Sequence, residues 1–188
     1  MIEYWWPTEI GFYDNPNHKK LKLINFCYSI QKNNESGGKE WISNETYNTS
    51  DNVFQIHEEK KFEPLNSWIM ESINKYINDS NLDFKINKTE SWFNIYKKGD
   101  YQEIHQHTNT IISAVYFLKS NQKSSSLIFR PPFIDQLDVK KTNNFCCNGN
   151  IEYKPIPGRL IVFRSFVPHC VPQHKDNQDR ITLSYNFR

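Results

Sequence analysis

Three histidines and one arginine could do chemistry in this chain: His105 and His107 with Gln106 between them, then His169, then Arg180. On an extended strand, side chains two apart project to the same face. A strand through His105 and His107 therefore offers two imidazoles side by side. A third imidazole from a neighbouring strand, His169, completes a three-point facial set on one metal ion. A guanidinium is a planar fork that takes a carboxylate through two parallel hydrogen bonds. Arg180 beside such a metal would hold the far carboxylate of an acidic ligand. Each feature is weak alone. An isolated His-x-His pair is more often two exposed polar residues than a ligand pair, a histidine after proline is usually a turn residue, and a lone arginine is usually a surface cation. Their order along strand-like segments makes the set informative.

The elements that must position these residues follow from periodicity. Beyond residue 90 the apolar residues recur at every second position. Eight short strands are expected, at 91–96, 103–107, 111–118, 126–129, 151–155, 159–163, 169–171 and 180–187. Turn signals separate most of them: Lys98-Gly99-Asp100, residues 121–125, Asn148-Gly149-Asn150, Pro157-Gly158 and Asp176-Asn177. Short strands with no crossover helices between them imply an antiparallel sandwich or barrel. Eight strands with ligands on the second and seventh imply a mainly β fold with a flanking helix, a double-stranded β-helix (jelly roll, cupin-like). On the last strand, alternation sends Arg180, Thr182, Ser184 and Asn186 to one face and Ile181, Leu183, Tyr185 and Phe187 to the other. A polar inward face is costly unless it binds something. Cys170 should point away from His169.

The first 88 residues read as an N-terminal extension to a jelly-roll core at 89–188, the whole forming one domain. Residues 62–78 are the clearest helix. Phe62, Leu65, Trp68, Ile69, Ile73, Tyr76 and Ile77 recur at spacings of three and four, a stripe for packing on a sheet. Residues 5–13 suit an extended segment. Residues 21–30 fit a short helix or a strand. Residues 33–38 and 44–52 read as polar loops. His18, His57 and His174 have no comparable context and are expected at the surface, with His174 close enough in sequence to rim the site.

Bulk properties narrow the function. The chain has 188 residues, 15% of them aromatic, and a net charge of +2. Such aromatic content suits a folded, strand-rich protein. The charge is near balance and the basic residues fall in scattered pairs (Lys19-Lys20, Lys97-Lys98, Lys140-Lys141), so no nucleic-acid partner is expected. No apolar run reaches the ~18 residues of a membrane span, and the N-terminal residues lack a secretory pattern. The four cysteines (Cys27, Cys146, Cys147, Cys170) show no zinc-type spacing. Reduced thiols and a cytoplasmic setting are the expectation.

From Trp92 to the C-terminus the chain resembles the 2-oxoglutarate- and iron(II)-dependent oxygenases. It carries Trp92, Asn94, Gly99, His105 and His107, then Ser113, Val115, Tyr116 and Leu118. Gly158, Leu160, Phe163, Ser165, His169 and Val171 follow, and finally Arg180, Ile181, Ser184 and Asn186. Trp6-Pro7-Thr8 also looks like that family's opening segment. The resemblance implies Fe(II) held by His105, His107 and His169, with Arg180 on the 5-carboxylate of 2-oxoglutarate and O2 as the other cosubstrate. Asn94 and Tyr96 match an N-x-Y pair that contacts the cosubstrate, and Ser184 and Asn186 would line the same pocket. The implied reaction hydroxylates an unactivated C–H bond, in a prolyl or other peptidyl side chain or a small molecule, and releases succinate and CO2.

The chain departs from the wider superfamily at His107, where a carboxylate is usual. Three neutral ligands leave the metal one charge more positive. Two other readings stay open at this point. A three-histidine cupin dioxygenase uses the same ligands without a 2-oxo acid, and a jelly-roll binding module uses the fold without catalysis. Substrate shaping is expected from residues 1–60 and from the loop 131–149, where Phe133 and Phe145 either line the mouth or cover the core.

Overall fold

The computed structural model describes residues 8–18, 21–51, 54–132 and 150–188. Trp5, Trp6, Pro7, Lys19, Lys20, Phe133, the pair Lys140-Lys141, Phe145, Cys146, Cys147 and the turn residues Asn148-Gly149 lie outside the described residues.

The elements run β1 (Ile10–Asp14), α1 (Leu21–Asn33), β2 (Tyr47–Asn48), α2 (Glu63–Asp79), β3 (Thr89–Tyr96), β4 (Gln102–His105), β5 (Ile112–Lys119), β6 (Leu127–Phe129), β7 (Ile151–Tyr153), β8 (Arg159–Arg164), β9 (His169–Val171) and β10 (Arg180–Phe187). Two antiparallel sheets form. One has the order β1-β8-β5-β10-β3-β2 and the other β4-β9-β6-β7. This is the expected jelly roll, with all eight anticipated strands present to within two residues at each end and two further strands on the large sheet.

Residues 21–30, ambiguous in the sequence, form the start of helix α1. Helix α2 begins with Glu63-Pro64, where proline's missing N–H is harmless. It buries Leu65, Ile69, Ile73, Tyr76 and Ile77. These residues pack in one cluster with Ile181, Leu183, Tyr185 and Phe187 of β10. Burying one such isoleucine stabilises the fold by about 1.5–3 kcal/mol. A smaller cluster, including Phe117, Leu127, Phe129, Ile161 and Phe163, fills one end of the space between the sheets.

Three expectations change. Residues 44–52 were expected as an open polar loop, but Thr46, Asn48 and Thr49 are buried there and β2 pairs with β3. Their polar side chains are bonded locally; the Thr46 hydroxyl, for example, donates to the Tyr101 carbonyl at 2.8 Å. His174, expected at the surface, is fully buried. Its ring nitrogens meet the Ser125 amide at 3.2 Å and the Gln178 carbonyl at 2.8 Å. Its backbone exchanges hydrogen bonds with Gly99 and Asp100, so it fastens the β9–β10 connection to the β3–β4 turn. His18 and His57 are half-buried rather than exposed, bonded to the Tyr116 hydroxyl at 2.6 Å and the Ser91 hydroxyl at 2.8 Å respectively.

Candidate metal and cosubstrate site

His105 and His169 sit directly opposite one another in the β4–β9 ladder. Between Gln102 and His105 the β4 strand carries one residue more than its partner, a bulge. In a regular strand, residues three apart face opposite ways. The bulge lets Gln102 and His105 line the same cavity. His107 arrives by a different route from the one its spacing suggests. The strand ends at His105, and His107 lies in the following loop, its N–H donating to the Ser165 carbonyl at 3.0 Å. The three rings nevertheless converge. Their centroids are 4.2 Å (His105–His169), 5.1 Å (His105–His107) and 5.2 Å (His107–His169) apart. One nitrogen from each lies within 4.8 Å of the others.

Two of the rings are braced by backbone. His105 Nδ1 meets the Glu103 carbonyl and His169 Nδ1 the Val167 carbonyl, both at 2.9 Å. A carbonyl only accepts, so it holds the proton on Nδ1 and leaves the Nε2 lone pair free, the form that metals bind. Burial lowers the pKa of all three imidazoles. For His107 burial and then His105 bring it down to about 3, and for His169 burial and its two neighbours bring it well below the ordinary value. The rings are therefore neutral at physiological pH, so no imidazolium has to lose its charge before a metal binds.

Strand β10 contributes Arg180, Thr182, Ser184 and Asn186 to the same cavity, of about 50 Å³. Arg180 has no exposed surface, and its three guanidinium nitrogens lack a partner in good hydrogen-bond geometry, with only the neighbouring Tyr96 hydroxyl to support the charge. It lies over the Tyr96 ring at 4.6 Å and the Phe117 ring at 5.3 Å. Burial pulls its pKa below the ordinary range, with the neighbouring Tyr96 hydroxyl opposing that shift. Tyr96 is its cross-strand partner. A register shift in the β5–β10 ladder lies immediately after, between Ile181 and Thr182. Asn94 donates to the Ser184 hydroxyl at 3.2 Å and reaches Thr182 at 3.5 Å. Asn186 lies at the opposite end of the strand from Arg180, about 20 Å away at the usual rise per residue, against His107 at 3.4 Å.

A buried cation with five idle donors is an expensive arrangement unless an anion completes it. Three neutral nitrogen donors suit a divalent transition metal. The residues therefore fit an iron ion with an acid stretched between it and Arg180.

Residues 90–186 match the family model described as "Putative 2OG-Fe(II) oxygenase". The chain belongs to that family. It is a 2-oxoglutarate-dependent oxygenase, and Fe(II), 2-oxoglutarate and O2 are the family's metal and cosubstrates. No curated protein matches it by sequence. Among solved structures, a prolyl-4-hydroxylase from Pseudomonas putida aligns with TM-score 0.65 at 17% identity, over 95% of this chain and 92% of that one. A Trichoplax adhaerens prolyl hydroxylase in complex with a hypoxia inducible factor peptide fragment aligns with TM-score 0.65 at 16% identity, over 95% and 82%. A viral collagen prolyl hydroxylase from Paramecium Bursaria Chlorella virus-1, in a 2OG complex, gives 0.58 at 14%, over 95% of both. At these identities the likeness is one of fold.

The oxygenase has a second, outer cleft of about 500 Å³ that shares His105, His107, Asn94 and Asn186 with the inner cavity. Two indoles flank it. The Trp41 ring meets His105 edge-on at 5.0 Å, and Trp92 lies 5.8 Å from His107. Sequence reasoning missed Trp41 and Gln102 as site residues, noted Trp92 only within a motif, and placed Thr182 on the polar inward face without giving it a role of its own. Thr182 was legible from the alternation of β10. Trp41 was not, because it comes from a segment with no period. That segment is tied down from β4. The Glu103 carboxylate accepts from the Ile42 N–H at 2.8 Å, from the Ser43 hydroxyl, and from the Gln102 amide at 2.9 Å.

Proposed function

We propose that the oxygenase hydroxylates an unactivated C–H bond of a peptidyl substrate, a prolyl side chain foremost, converting 2-oxoglutarate to succinate and CO2. His105, His107 and His169 hold Fe(II), which when bound supplies the activation of O2. Arg180 takes the 5-carboxylate of 2-oxoglutarate. The single observation that carries this reading is the unsatisfied, fully buried Arg180 in one cavity with three converging imidazoles. Asn94, Tyr96, Thr182 and Ser184 orient the cosubstrate between the two, and Asn186 lines the metal end.

The outer cleft is the natural entrance for the substrate. Its described lining holds two indoles, the amides of Asn48, Gln55 and Gln102, and the carboxylates of Asp51 and Glu90. Indole faces receive an apolar ring, and side-chain amides suit peptide backbone groups. Packing of α1 and α2 on the large sheet supports one domain over the described residues. No helix among them is long and apolar enough to cross a membrane. Cys27 and Cys170 are both free, which supports a reducing, cytoplasmic setting.

The test is to incubate enzyme with Fe(II), 2-oxoglutarate, O2 and proline-containing peptides. Succinate should form in step with a mass gain of one oxygen on the peptide. Oxygen uptake with a thiol or small acid, independent of 2-oxoglutarate, would instead establish the three-histidine cupin reading. Absence of any 2-oxoglutarate effect on an anaerobic Fe(II) titration would leave the binding-module reading.

A further inference from the structure

One of the three imidazoles is braced differently from the other two. His105 and His169 each face a backbone carbonyl, which accepts and nothing else. His107 Nδ1 faces the side-chain amide nitrogen of Asn186 at 3.4 Å. An amide N–H₂ only donates. In that orientation His107 Nδ1 must accept, so in the neutral ring the proton sits on Nε2, which is then blocked for metal.

Asn186 does not stand alone. Its carbonyl oxygen accepts from the Ser113 hydroxyl at 2.8 Å, and the Ser113 and Ser165 hydroxyls are 2.8 Å apart. All three residues are buried. A hydroxyl both donates and accepts. Half a turn of the Asn186 amide therefore reverses the whole row without breaking it. Its oxygen then accepts from His107 Nδ1–H, its N–H donates to Ser113, and Ser113 donates to Ser165. In that second arrangement His107 Nε2 carries a lone pair. Resting on the proposed ligand set, we infer that Asn186 is a positioning residue that selects the tautomer of His107. The Ser165-Ser113-Asn186 row is then a reversible hydrogen-bond relay whose direction decides whether the third metal ligand is available. The backbone carbonyls at the other two histidines have no such freedom, so the site is built as two fixed ligands and one that is set.

The experiment measures metal affinity apart from turnover. Co(II) is titrated into the enzyme against a competing chelator. Asn186→Leu should weaken binding about 10- to 100-fold, the range for losing a ligand's orienting partner. Ser165→Ala, which keeps Asn186 and removes only the far acceptor, should weaken it by a smaller factor and serves if the first variant does not fold. The discriminating step repeats Asn186→Leu in a His107→Asp background, where there is no tautomer to select and the penalty should vanish. In ¹⁵N-histidine-labelled enzyme, His107 should carry its proton on Nε2 without metal and on Nδ1 with Zn(II). Unchanged Co(II) affinity in Asn186→Leu would overturn the inference, as would an equal loss in the His107→Asp background. Loss of all three-histidine metal binding in the wild type would instead remove the ligand assignment beneath it.

Discussion

An arginine with no exposed surface and no partner for any of its nitrogens weakens the fold that contains it. Leaving a buried charge without its ion partner costs about 3–5 kcal/mol, offset here only in part by the Tyr96 and Phe117 rings. Arg180→Leu should therefore raise the melting temperature of the ligand-free protein, by about 2–4 °C for each kcal/mol regained. The same variant should lose the stabilisation that 2-oxoglutarate gives the wild type while keeping its Co(II) affinity. Scanning calorimetry with and without the acid reads both. A second prediction concerns protons. Burial holds the His107 pKa at about 3, against the ordinary 6.5. Between those values the unfolded chain takes up a proton that the folded chain refuses. The stability is thus whole above pH 6.5 and drains as pH falls toward 3, at up to ~1.4 kcal/mol per pH unit for this group. Urea midpoints of the metal-free protein should drop across that window, and His107→Leu should make the drop shallower. An unchanged slope in the variant would refute this account.

The elements show why some of the site was legible and some was not. Strand β10 was readable because alternation is a local property: Arg180, Thr182, Ser184 and Asn186 do face the cavity, and Ile181, Leu183, Tyr185 and Phe187 do face the helices. Helix α2 was readable for the same reason at its own period. The convergence of His105 with His107 was expected from strand geometry but arises from a strand end and a loop held to Ser165. The bulge in β4 has no sequence signal, because it is set by pairing with a strand more than sixty residues away. Nor does the segment around Trp41 have a period. Its shape depends on Gly38, where φ is +66° and a Cβ would come within 2.6 Å of the Asn48 side-chain nitrogen. Gly38→Ala should therefore displace Trp41 from His105. The expected outcome is a higher KM for the proposed peptide substrate, with Co(II) affinity unchanged and stability lower by about 1 kcal/mol or more.

At the scale of the whole molecule, the proposed metal site is carried by a frame that does not need it. One apolar cluster joins the helices to the large sheet and another closes one end of the space between sheets. Two of the three imidazoles are held by backbone carbonyls. Stripping metal with a chelator should thus leave the far-ultraviolet circular dichroism spectrum unchanged, unlike a zinc finger, which unfolds. Adding Fe(II) and 2-oxoglutarate together, under anaerobic conditions, should raise the melting temperature in proportion to the logarithm of ligand concentration. Collapse of the spectrum on chelation would contradict this division between frame and site.

Strand β10 has no spare surface: every residue of it serves either the helix-side packing or the catalytic interior. A change there disturbs folding and cosubstrate handling together, so natural variation has little room on it. The tract bearing Trp41, fastened mainly through Glu103 and Gly38, meets the site through the Trp41 ring against His105 and lies outside the strand itself. New substrate preferences can arise by redrawing that tract while the machinery that consumes 2-oxoglutarate stays as it was.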